Sequence, residues 1–134
     1  MDIRVSLDGN KRVTARFPDG KVMVTDQPAA SGGLGEFPSP FAAFLGAIAT
    51  CAGVYVEDFC AYRAIPADGI ELFQQAEFTD DSQGKRTLSK VIITLRLPPE
   101  FPEKYRAAVA RAAELCAVKK AIGAQPLFEV KVQV

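Results

Sequence analysis

Histidine is absent from the 134 residues, and its absence excludes Ser-His and Cys-His catalysis and removes the commonest zinc ligand. A reactive thiolate in this chain must therefore be stabilised by arginine, lysine or a helix N-terminus. Excess charge is also missing. Sixteen basic residues offset sixteen acidic ones and no block of like charge stands out, so the chain lacks the electrostatic footprint of a nucleic-acid binder. The N-terminus, "MDIRVSLDGNKRVTARF", alternates charged and apolar residues instead of placing a basic patch before an apolar run. That pattern is no signal peptide and reads as cytoplasmic. Three cysteines without a secretory signal argue against a disulfide scaffold, leaving redox or nucleophilic chemistry as their expected use. No repeat or low-complexity segment is visible.

The length suits one domain, residues 1–134, and about half of the residues are apolar, enough for a real core. Three short alternating segments, Ile3 to Leu7, Val13 to Phe17 and Val22 to Thr25, are separated by "DGN" and "PDG" turns. They predict an antiparallel meander. "DQPAASGGLGEFP", Asp26 to Pro38, is a loop. Its Gly-rich run follows no clear strand, so it predicts a flexible loop and not a phosphate cradle.

Ser39 offers an N-cap oxygen and Pro40 fits the first helical position, so a helix starts there. The run from Pro40 to Val56 approaches the length of a membrane span, but it is diluted with Ala and Gly and has no aromatic-basic belt. It reads as a helix buried in protein. Its apolar residues, Phe41, Phe44, Leu45, Ile48, Val54, Val56 and Phe59, occupy nearly every face. The helix ends near Ala64, before Pro66 and Gly69. A hairpin follows, with Ile70 to Phe78 and Val91 to Leu97 flanking the polar tip "DDSQGKR". Tyr105, Ala108, Val109, Ala112 and Leu115 then recur at helical spacing. "AVKKAIG" adds a short helix and "PLFEVKVQV" a last strand. The fold class is α+β, in the order βββ, long α, ββ, α, short α, β. One such chain has too little structure to surround so apolar a helix, which predicts an obligate homodimer whose central helices bury one another.

Cys51 and Cys60 are nine residues apart, about 13 Å of helical rise and on opposite faces. A disulfide needs Cα atoms within roughly 7 Å, so any intrachain pair must include Cys116. Its partner is Cys51 or Cys60 on this reading. Lys119 and Lys120 follow Cys116 within one turn.

"SPFAAFLGAIATC" resembles the start of the central helix of the OsmC/Ohr family, the osmotically inducible protein C and organic hydroperoxide resistance proteins, where a Pro cap precedes a helical cysteine. "AELCAVKKAI" resembles that family's second cysteine motif, with Ala117 in place of the usual Pro. The order of elements is similar as well, over essentially the whole chain. The resemblance implies an intertwined homodimer, an organic hydroperoxide as substrate, an external dithiol as reductant and no cofactor. Cys51 would be oxidised to a sulfenic acid, and Cys116 would resolve it as a disulfide.

In the peroxidases of this family an arginine supports the thiolate, and a glutamate just after the capping proline positions it. Phe41 and Ala42 stand at those places here. Glu36 is the nearest substitute acid. Arg16, in "TARFPDG", is the candidate arginine and Arg12 the second choice. Phe41, Phe44 and Ile48, ahead of Cys51, are the candidate substrate pocket. Cys60 is expected to be packing. The rival function is an OsmC-like dimer of weak activity that binds a small hydrophobic molecule or senses oxidation; a purely structural dimer is the third.

Overall fold

The computed structural model describes all residues from Met1 to Val134, in two compact units, Met1–Gly46 and Ala47–Val134. The first unit holds the meander: β1 (Arg4–Gly9), β2 (Arg12–Arg16) and β3 (Val22–Thr25), antiparallel in the order β1-β2-β3. Gly9 pairs with Arg12, which leaves Asn10 and Lys11 as a two-residue loop, both at positive φ (49° and 61°). That is the primed hairpin geometry whose twist matches its strands. Phe17 and Lys21 close the second turn, with Gly20 at φ 87°. Register aligns Val5, Ala15 and Met23 in one row across the sheet, and Val5 and Met23 are exposed.

Helix α1 (Pro40–Tyr62) begins as the cap predicts. The Ala42 N–H donates to Ser39 Oγ at 3.1 Å. Its buried residues, Ile48, Ala52, Val56, Phe59 and Cys60, form a single stripe. The chain covers only that stripe: Phe41, Phe44 and Val54 remain exposed. Ala64, at φ 53°, ends the helix, and Ile65 donates back to the Cys60 carbonyl at 2.9 Å.

The second unit packs this stripe against β4 (Glu71–Asp80), β5 (Arg86–Arg96) and α2 (Arg106–Glu114). β4 and β5 form an antiparallel hairpin from Glu71↔Arg96 to Asp80↔Arg86. Its tip is tied by the Asp81 carboxylate, which accepts the N–H groups of Gln83 and Lys85. Ala52, Val56, Phe59, Cys60, Phe101, Val109 and Ala113 are the core, with Leu72, Ile93 and Leu95 of the hairpin against it.

Two sequence expectations need revision. Helical spacing predicts Leu115 on the stripe of the second helix, yet it is exposed, and Cys116 is fully buried in its stead. The helix stops there: Cys116 takes extended dihedrals (φ −50°, ψ 127°) before α3 (Ala117–Gly123) begins, so the helical period no longer applies. "PLFEVKVQV" forms no strand, and Leu127, Phe128, Val130, Val132 and Val134 are all at least nine-tenths exposed. Alternation marks a segment fit for a sheet, but a strand exists only where a neighbouring edge supplies the ladder.

Phe101 is 3 % exposed within the core. Its replacement in Phe101→Ala should destabilise the fold by about 3–5 kcal/mol, read as a lower urea midpoint. A midpoint unchanged from the parent protein would contradict this account of the core.

Candidate functional site

Cys51 lies one residue before the most deeply buried position of α1, Ala52, and is itself half-buried, whereas Cys116 is fully buried. All three thiols are free. The break after α2 brings Cys116 back to α1, beside the Cys51 thiol. The chain that follows adds the backbone N–H groups of Val118 and Ala117 as donors to the same sulfur. Of the two pairings left open by spacing, the structure brings together Cys51 and Cys116.

This surrounding favours the thiolate. The Val118 N–H contributes most to holding the Cys51 thiol below its ordinary range, followed by the Cys116 side chain, the Ala117 N–H and the positive charge of Lys119. Partial burial opposes them. Cys60 behaves oppositely: it sits in the core, and desolvation pushes its thiol up despite the nearby Arg63 charge. A cavity of about 340 Å³ lies beside Lys119, lined by Val91, Ile93, Leu95, Ala110 and Ala113. A larger one, about 520 Å³, is bounded by Arg63, Pro98 and Tyr105, and no thiol lines either cavity.

The remaining candidates distribute differently from the sequence expectation. Glu36 is ion-paired, but with Arg12 and not with Arg16. Arg16 sits at the end of β2 and donates to Ser6 Oγ at 2.9 Å. The strand direction explains the exchange: Arg12 opens β2 and Arg16 closes it, at the other end of the strand. The Arg12 guanidinium also lies 5.0 Å from the Phe37 ring centre, and its Nε is buried without a partner. Phe41 and Phe44 form a tilted ring pair 5.7 Å apart. Both are solvent-exposed and Ile48 is buried, so within the chain the three do not enclose a pocket. The groups that sequence reading missed are backbone donors, whose direction no residue letter encodes, and Asp26, whose only signal is its place at the mouth of a Gly-rich loop. No cluster of three or more His, Cys, Asp or Glu side chains is poised to hold a metal.

Residues 33–131 match the family model described as OsmC-like protein. The chain belongs to the OsmC-like family. Solved structures agree on the fold. A putative osmotic stress induced and detoxification response protein from Psychrobacter arcticus has a TM-score of 0.74 at 21% identity, covering 90% of this chain and 87% of that one. An OsmC-like protein from Mycoplasma pneumoniae has a TM-score of 0.70 at 15% identity, covering 91% and 86%. The organic hydroperoxide resistance protein OhrB of Bacillus subtilis has a TM-score of 0.59 at 22% identity, covering 90% of each chain. No curated protein matches the sequence.

Alkylation of the reduced protein by iodoacetamide should show a pH midpoint at Cys51 below the ordinary thiol value of about 8.5. Lys119→Ala should move the midpoint upward, and Cys60 should stay unmodified until the protein is unfolded. An ordinary midpoint at Cys51, read by peptide mass spectrometry, would contradict the electrostatics described above.

Proposed function

We propose that this OsmC-like chain reduces organic hydroperoxides with Cys51 as nucleophile and Cys116 as resolving thiol. The observation that carries the reading is the Cys51 sulfur, held between the Cys116 side chain and the Val118 and Ala117 N–H groups. The thiolate attacks one oxygen of the O–O bond, which breaks; the other oxygen leaves as alkoxide and takes a proton to become the alcohol. Cys51 is then a sulfenic acid. The Cys116 sulfur attacks that sulfur, a disulfide forms and water leaves. An external dithiol restores both thiols and is itself oxidised to a disulfide.

We also assign the working unit as a homodimer. The exposed apolar faces of α1 and the unpaired alternating segment from Leu127 to Val134 support this, since both lack cover within one chain. A second reading, a dimer that binds a small hydrophobic molecule or senses oxidation, draws on one observation: the cation acting on the Cys51 charge is a lysine, and Phe41 stands where the family's acid would be.

Reduced protein mixed with cumene hydroperoxide in stopped flow should consume it stoichiometrically, far faster than a free thiol, and yield a Cys51–Cys116 disulfide on non-reducing peptide mapping. Cys51→Ser should abolish the reaction. Cys116→Ser should allow one oxidation without a disulfide. A free-thiol rate would favour the second reading, and full activity in Cys51→Ser would refute the nucleophile. Light scattering should give the mass of two 14.4 kDa chains; a stable monomer would refute the dimer.

A further inference from the structure

The carboxylate of Asp26 is completely buried in the first unit, between the end of β3 and the loop expected to be flexible. It is not left bare. Oδ1 accepts the N–H groups of Gln27 at 2.7 Å and Leu34 at 3.2 Å, and Oδ2 accepts that of Glu36 at 3.1 Å. The Asp26 N–H donates to the Pro38 carbonyl at 3.1 Å and closes the base of the loop. Inside it, the Gln27 carbonyl accepts from Gly35, the Pro28 carbonyl accepts from Ser31 and Gly33, and the Lys11 ammonium donates to the Ser31 carbonyl. The glycines serve close approach as much as freedom. A Cβ on Gly33 would lie 2.0 Å from the Gln27 carbonyl oxygen and 2.6 Å from Asp26 Oδ1.

From this geometry we infer that Asp26 is a positioning residue: it folds residues 27–36 around its carboxylate and so sets Glu36 onto Arg12. The same residue whose N–H reaches Oδ2 carries the side chain that holds the guanidinium. Arg12 also acts electrostatically on Asp26, so the carboxylate and the pair it positions form one charge cluster. Asparagine cannot substitute, because its amide nitrogen would turn a donor toward an N–H that needs an acceptor.

The test compares Asp26→Asn, Glu36→Gln and the double variant in amide hydrogen exchange and in labelling of Arg12 by phenylglyoxal. Exchange at Leu34 and Glu36 should rise at least about tenfold in Asp26→Asn, where an opened loop loses its protection, while the core amides of α2 keep theirs. Arg12 labelling in Asp26→Asn should rise to that of Glu36→Gln, and the double variant should be labelled no faster than either, because both changes remove the same contact. Unchanged exchange at Leu34 and Glu36 would overturn the inference, and so would gains that multiply in the double variant. Should Asp26→Asn not fold, Gly33→Ala opens the same loop with the carboxylate intact, and it should reproduce both the exchange and the labelling.

Discussion

Leu115 donates its N–H to the Ala112 carbonyl at the end of α2, and the extended dihedrals of Cys116 that follow redirect the chain. Much of the thiol site depends on that change of direction. A helix continued through Cys116 would satisfy the N–H groups of Val118 and Ala117 with its own carbonyls. Interrupted, it leaves them as donors, and the Cys51 sulfur takes them. The same interruption buries Cys116 and exposes Leu115, exchanging an apolar contact for a thiol placed beside another thiol.

The chain thus favours a thiolate largely with backbone dipoles, with Lys119 as the side-chain charge. Such donors need no titratable partner, which suits a sequence without histidine. Cys60 supplies the contrast within one helix. It faces the apolar core formed with Phe59, Val109 and Ala113, where no donor offsets desolvation, and its thiol is pushed up. Position on the helix, and not residue type, separates the sulfur favoured as thiolate from the one packed in the core.

In the first unit a buried anion organises the structure. Asp26 replaces its lost hydration with three backbone N–H groups, and the loop they belong to takes its shape around it. Gly33 permits the close approach of backbone to backbone and carboxylate, while Gly32 and Gly35 take positive φ. Elsewhere the chain leaves apolar surface uncovered, at Phe41, Phe44 and Val54 of α1 and along its last residues.

The periodic features were legible in advance. Alternation between turn sequences marks the strands of the meander and the hairpin, and Ser39-Pro40 marks the start of α1, because these signals act over a few neighbouring residues. The cysteine motifs marked Cys51 and Cys116 by resemblance, whereas their spacing left Cys60 as an alternative. Three features depended on contacts between distant segments: the partner of Glu36, the donors to Cys51 and the burial of Asp26. Arg12 meets Glu36 across a sequence separation of 24, and Val118 meets Cys51 across far more. Local propensity fixes which segments form elements, but a hydrogen bond between segments exists only once packing has chosen the direction of each. The last residues show the same limit: their sequence specifies a strand's alternation, and only a neighbouring sheet edge can make them one.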